Sequence, residues 1–246
     1  NNLSRQTMNF LITGWASGLG YAITKAIAGS FPAAHIYFTF HSSAANAEAL
    51  MTGSKNLHGI KCNFKEASEV ESLCRFIQSS EIDVLVNNAF TKLAKLHFHK
   101  TVRADIIESF NADILSTVEI TRSFLLKARE RRSGKIITIL SSGLMGTPAT
   151  GWRVYLAGKA YVLAMHKSWA AENKAFNISS NCISPGFMAT ALHKDMDERM
   201  IEDIIEKHPL KKLLTVEEVA RTVLFLCNSS AQLNGQNIFL NAAMNF

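Results

Sequence analysis

The sequence predicts an α/β domain built on one doubly wound parallel sheet with helices on both faces. Two observations carry that expectation. Short runs rich in Ile, Val, Leu and Phe alternate with helix-length stretches along the whole 246-residue chain. Those runs are apolar on both faces, as strands buried between two layers of helices must be. A third observation is a cluster of glycines placed where the first such run gives way to the first helix.

In order, the strand-like runs are residues 8–13, 35–40, 84–87, 135–140, 178–183 and 236–240. The helical stretches are 20–30, 44–51, 69–79, 104–131, 154–175 and 216–228. Thr215 followed by Glu218 has the spacing of a capping box for the last helix. Units of this length imply right-handed crossovers, and so a Rossmann-like sheet. No linker, repeat or low-complexity segment divides the chain, so residues 1–246 read as a single dinucleotide-binding and catalytic domain. The polar stretch 189–212 breaks the compact pattern and reads as a lid over a site.

The bulk numbers exclude several classes. Lys and Arg total 26 against 20 Asp and Glu, a formal charge of +6 spread along the chain. Basic and aromatic residues are not interleaved, so nucleic acid is not an expected partner. The longest apolar run falls short of the ~20 residues a membrane helix needs. Cys62, Cys74, Cys182 and Cys227 form no CxxC pair and have no nearby His at metal spacing, which argues against a metal site and for a reducing compartment. With a polar segment at 1–7, the expected localisation is cytoplasmic.

The glycine cluster is Thr13-Gly14-Trp15-Ala16-Ser17-Gly18-Leu19-Gly20. Glycines here permit a tight turn and close backbone approach, and the following helix N-terminus offers N–H groups to a pyrophosphate. A second pattern is Tyr155 with Lys159, which share a helix face at i and i+4. A cation beside a phenol favours phenolate and is expected to bring the Tyr155 pKa down toward the working range. Ser142 lies thirteen residues upstream, at the end of a strand, where its hydroxyl would hold a substrate oxygen. Ser141 is its rival, and the spacing favours Ser142.

The ordered set Thr13–Gly20, Asn87-Asn88-Ala89, Asn111, Ser142, Tyr155, Lys159 and Pro185-Gly186 with Thr190 resembles the short-chain dehydrogenase/reductase family over essentially the whole chain. The resemblance implies an oxidoreductase acting between CH–OH and C=O with a nicotinamide cofactor. Tyr155 would then be the proton donor, Lys159 its support and a ribose ligand, Ser142 the orienter of the carbonyl, and Asn111 the holder of a relay water. Gly14, Ser17, Gly18, Leu19 and Gly20 would carry the pyrophosphate, and Asn63 and Phe64 would border the adenine. Asn87 and Ala89 would line the cofactor, while Pro185, Gly186 and Thr190 would meet the carboxamide. An NAD site needs a carboxylate after the second strand. The chain has Thr39-Phe40-His41-Ser42-Ser43 there, so NADP(H) is expected over NAD(H), with His41 and Ser42 near a 2′-phosphate.

Within the family the chain looks most like 3-oxoacyl-carrier-protein reductases and related ketoreductases. That likeness implies a 3-oxoacyl thioester or a specialised polyketide-like substrate, delivered on an acidic carrier protein to a basic rim. Candidate rims are Lys92, Lys95, His97, His99, Lys100 and Arg103, or Lys127, Arg129, Arg131 and Arg132. An alcohol or hydroxysteroid-type dehydrogenase is the alternative enzyme, and a silent NADP sensor or scaffold the non-enzyme alternative. A homotetramer or homodimer through helices 104–131 and 154–175 is also implied. Phe90, Asn63 and Ala242-Ala243 depart from the family's usual glycine, aspartate and glycine pair.

Overall fold

A computed structural model describes residues 8–15, 18–42, 47–48, 51–52, 54–90, 97–147, 150–188 and 198–244. Seven parallel strands form one sheet: β1 (Asn9–Ile12), β2 (His35–Phe40), β3 (Leu57–Lys61), β4 (Val84–Asn87), β5 (Gly134–Ile139), β6 (Ile178–Pro185) and β7 (Asn237–Leu240). Their order is β3-β2-β1-β4-β5-β6-β7, so the winding reverses between β1 and β4. That reversal opens a crevice at the carboxyl ends of the strands, where open α/β sheets bind ligands.

Strand alternation sends successive side chains into two cores. Phe10, Ile12, Ile36, Phe38, Val84, Val86, Ile137 and Ile139 pack on one face under α1 (Leu19–Ser30), whose Ile23 and Ile27 point inward. Leu11, Leu85 and Ile136 face the other side, under α2 (Ala67–Gln78) and a long helical region. That region was expected to be one helix. It is instead α3 (Arg103–Ser109), a π turn (Phe110–Leu115) and α4 (Ser116–Arg131). α5 (Arg153–Asn173) completes this face, and fully buried His166 on it bonds Ser180 of β6 at 2.8 Å. α6 (Glu198–Lys207) follows, and then α7 (Val216–Asn228), which joins α1 on the first face. The capping box forms as expected: the Glu218 amide donates to Thr215 Oγ1 at 3.2 Å and the Thr215 amide to Glu218 Oε2 at 2.8 Å.

β3 was not among the expected strands. It is an edge strand with only Leu57 buried, and its sequence Leu-His-Gly-Ile-Lys breaks the apolar pattern with His58, Gly59 and Lys61. Most of the expected helix at 44–51 lies outside the described residues. Among the described residues, no helix is long and apolar enough to cross a membrane.

Candidate active site

The turn after β1 forms a cradle closed by hydrogen bonds. Gly14 has φ +75° and its amide donates to Thr39 Oγ1 at 2.9 Å. Asn88, just after β4, donates from Nδ2 to the carbonyls of Thr13 (3.0 Å) and Gly14 (2.7 Å). Thr13 Oγ1 accepts from the amides of Asn88 (3.0 Å) and Ala89 (3.1 Å). A Cβ on Gly14 would lie 2.6 Å from Ala89 Cα, and one on Gly20 only 2.1 Å from the Gly14 carbonyl oxygen. The cradle therefore exists only without those side chains. α1 begins beside it with no side-chain cap and no acidic residue in its first turn, leaving its amides for an anion. These residues fit a dinucleotide pyrophosphate.

A cavity of about 1750 Å³ runs from this cradle along the strand ends. Gly14, Gly18, Leu19, Gly20, His41, Ser42, Asn63, Phe64, Ala89, Pro185 and Gly186 all line it, as expected of a cofactor path. Ser17 and Thr190 lie outside the described residues. Asn87 does not line the cavity. Its Nδ2 turns inward to donate to Thr121 Oγ1 at 2.9 Å, because it is the last residue of β4 and faces the helix layer. Asn88, one residue later and past the strand end, is the asparagine that meets the cradle.

At the other end of the cavity, α5 supplies Tyr155 and Lys159 one turn apart. Lys159 is 5% exposed, and its Nζ donates to the Ile139 carbonyl at the end of β5 at 2.8 Å. Burial lowers its pKa to about 8, against the favourable field of Asp113. The Phe90 ring lies 4.2 Å from that Nζ and packs edge-on against Tyr155, with centroids 4.9 Å apart. Gly158 makes room for it, since a Cβ there would come within 3.3 Å of Phe90 Cζ. Trp152 meets Tyr155 from another side at 5.9 Å.

Two expectations need correction. Tyr155 was expected to have a lowered pKa, yet enclosure of the phenol pushes it up to about 12, despite a hydrogen bond to Ser141. Lys159 Nζ is 5.6 Å from the ring centroid and donates to Ile139, and burial of the phenol outweighs the lowering effect of the Ser141 bond. Of the two serines, the one that bonds the phenol is Ser141, the rival; Ser142, expected to hold the substrate oxygen, lines the cavity beside it. Ser141 keeps the extended backbone of β5 (φ −157°, ψ 140°), whereas Ser142 starts a 3₁₀ turn, a distinction that residue counting misses. Both serines are buried and line the cavity.

The second correction concerns Asn111, which is exposed and does not line the cavity. The residue of the π turn that faces Lys159 is Asp113, 2% exposed. A signal for it was present: Asp113, Thr117, Ile120 and Phe124 recur at i, i+4, i+7 and i+11, the buried stripe of this helical region.

Comparison with known proteins bears on the family and the fold. A family model described as enoyl-(acyl carrier protein) reductase matches residues 14–245. The 3-oxoacyl-(acyl-carrier-protein) reductase of Synechocystis sp. is 32% identical over 247 residues, covering 95% of each chain. That of Thermotoga maritima is 30% identical over 243 residues, covering 95% of this chain and 96% of its own. The chain belongs to the short-chain dehydrogenase/reductase family. It is an oxidoreductase acting between CH–OH and C=O. A solved short-chain dehydrogenase/reductase shares the fold at TM-score 0.84 and 22% identity, over 97% of both chains. So does YwfH, described as an NADPH-dependent reductase involved in bacilysin biosynthesis, at TM-score 0.87 and 19% identity, over 98% of this chain and 99% of its own.

Two further features of the sequence have a clear place in the structure. Ala242 and Ala243 line the cavity at φ 50° and 61°, a left-handed backbone that favours glycine. The cluster at 127–132 is largely occupied in tying α4 to its neighbours. Arg129 bonds Asn173 at 3.0 Å and Arg131 bonds Glu81 at 3.2 Å, while Arg132 bonds the Ala175 carbonyl at 2.7 Å.

Proposed function

We propose that this chain is an NADP(H)-dependent ketoreductase that interconverts a 3-oxoacyl thioester and its secondary alcohol by hydride transfer. The observation that carries this reading is the Tyr155 phenol, bonded to Ser141 and one turn from the buried Lys159 ammonium, in a cavity that continues into the glycine cradle. The bound cofactor supplies the hydride. Tyr155, protonated at neutral pH, gives its proton to the ketone oxygen as the carbonyl carbon is reduced. Ser142 donates a hydrogen bond to that oxygen and sets the face presented, while Ser141 donates its own to the phenol. Lys159 holds positive charge beside the phenolate left behind. Because burial lowers Lys159 from 10.5 to about 8, reduction is expected to fall off above about pH 8, as that charge is lost.

The reading of NADP(H) rests on the end of β2, where His41 and Ser42 line the cavity and no carboxylate stands. Trp152, Val154, Phe187, Met188, Ile204 and Leu214 line the cavity as well, a wall suited to an acyl chain. Ile204, His208, Leu210 and Lys212 support the reading of 189–212 as a lid of a single catalytic domain; its residues 189–197 lie outside the described ones. Exposed His97, His99, Lys100 and Arg103 are the described part of a basic rim for an acidic carrier protein, with Lys92 and Lys95 outside the described residues. An assembly of two or four copies is supported by exposed Ile106, Phe110 and Leu115, with Tyr161 of α5 against Phe110 at 5.7 Å.

The test is turnover of an acetoacetyl thioester with NADPH by the full chain and by Tyr155→Phe. Loss of at least a hundredfold in kcat with cofactor binding retained is expected. A Tyr155→Phe variant with full turnover, or tighter binding of NADH than NADPH, would refute the corresponding part.

A further inference from the structure

We propose that Asp113 is a positioning residue of this centre, a buried carboxylate that holds Lys159 in its charged form. The inference rests on the proposed roles of Tyr155 and Lys159. Asp113 and Lys159 are 2% and 5% exposed, and both line a second cavity of about 10 Å³ against the sheet. Asn87, Thr117 and Thr138 complete its polar wall. A buried ammonium with no counter-charge discharges instead of remaining a cation. The other described groups around Lys159 do not supply that charge. Cys182 of β6 is a thiol that burial keeps protonated, Tyr155 is a neutral phenol, Ile139 offers a carbonyl and Phe90 a ring face.

Asp113 is itself fixed in place. Ser109, which lines the main cavity, donates from Oγ to Asp113 Oδ2 at 3.1 Å, and the π turn carries the carboxylate onto the buried stripe. Lys65, a second cation in its field, is exposed and paired with Glu108. An amide such as the expected Asn111 would accept a hydrogen bond, but it would bring no charge. The carboxylate also raises the Tyr155 pKa, so removing it moves both Tyr155 and Lys159 downward.

The experiment is an NMR titration of the cofactor-free full chain carrying ¹³C-labelled lysine, with the Lys159 signal assigned by its absence in Lys159→Arg. In the unsubstituted chain Lys159 is expected to titrate near about 8. In Asp113→Asn, a near-isosteric change, the midpoint is expected to fall by about one pH unit. The alkaline limb of kcat for reduction is expected to move the same way. A midpoint unchanged in a folded Asp113→Asn overturns the proposal. If that variant does not fold, Ser109→Ala decides: the midpoint is expected to fall by a smaller amount, and an unmoved one overturns the proposal. Tyr155→Phe separates the two readings. Full activity in that variant removes the catalytic assignment, whereas an inactive Tyr155→Phe with an unmoved Lys159 midpoint in Asp113→Asn removes only the role of Asp113.

Discussion

Gly20→Ala sets two physical effects against each other, and the structure decides which wins. Gly20 lies in the first turn of α1, where replacing glycine by alanine ordinarily adds up to about 1 kcal/mol of helix stability. Here the new Cβ would sit 2.1 Å from the Gly14 carbonyl oxygen and 3.0 Å from Asn88 Nδ2. Relief requires the turn and helix to separate by roughly 1 Å. That movement disturbs the bonds that hold Gly14, to Thr39 at 2.9 Å and from Asn88 at 2.7 Å. Each is worth about 1 kcal/mol net, and more if a group is left buried and unpaired. The expected balance is a loss of at least about 1 kcal/mol, read as a Tm lower by about 2–4 °C for a chain of this size. Cofactor affinity falls at least tenfold, since the displaced backbone is the surface that meets the pyrophosphate. Calorimetry and a fluorescence titration with NADPH measure both. A variant with raised Tm and unchanged affinity would show that the contact relaxes freely and that the cradle argument is wrong.

Ala242→Gly relieves a residue at φ 50° and is expected to raise stability by about 0.5–1 kcal/mol, the left-handed strain less the added freedom of the unfolded chain; a lower Tm would count against this. His166, fully buried, has its pKa lowered to about 4 by burial, below the 6.5 of an unfolded histidine. Its contribution is therefore complete above pH 6.5 and lost as pH falls toward 4. Chemical denaturation across that range should show a shallower pH slope in His166→Gln, and an identical slope would rule the residue out. Ser141→Ala is expected to reduce kcat more than Ser142→Ala, because Ser141 bonds the phenol. The reverse order would restore the assignment made from spacing.

Most of the fold was legible in sequence because its signals are local. Two-faced apolar runs mark β1, β2 and β4 to β7, and Thr215 with Glu218 marks the start of α7. β3 escaped because its five residues include a histidine, a glycine and a lysine, which leave only Leu57 and Ile60 to mark it as apolar. The glycine turn and the Tyr155–Lys159 pair were also readable, since each depends on spacing within one turn or one helix. Asn111 comes from the resemblance to a mid-helix asparagine of the family, and residue type alone does not show that Asp113, two positions on, is the one on the buried stripe beside Lys159.

By itself, then, the sequence determined the doubly wound sheet, the nucleotide cradle and the paired Tyr155 and Lys159. All of these are consequences of periodicity and conformational preference over a few residues. Tertiary structure alone decided that Ser141 bonds the phenol, that Asp113 faces the lysine, and that Phe90 shares its cover with both. Those depend on which atoms remain dry when helix, sheet and turn close over one another. Burial determines whether Tyr155 and Lys159 hold their protons, and no spacing along the chain encodes it.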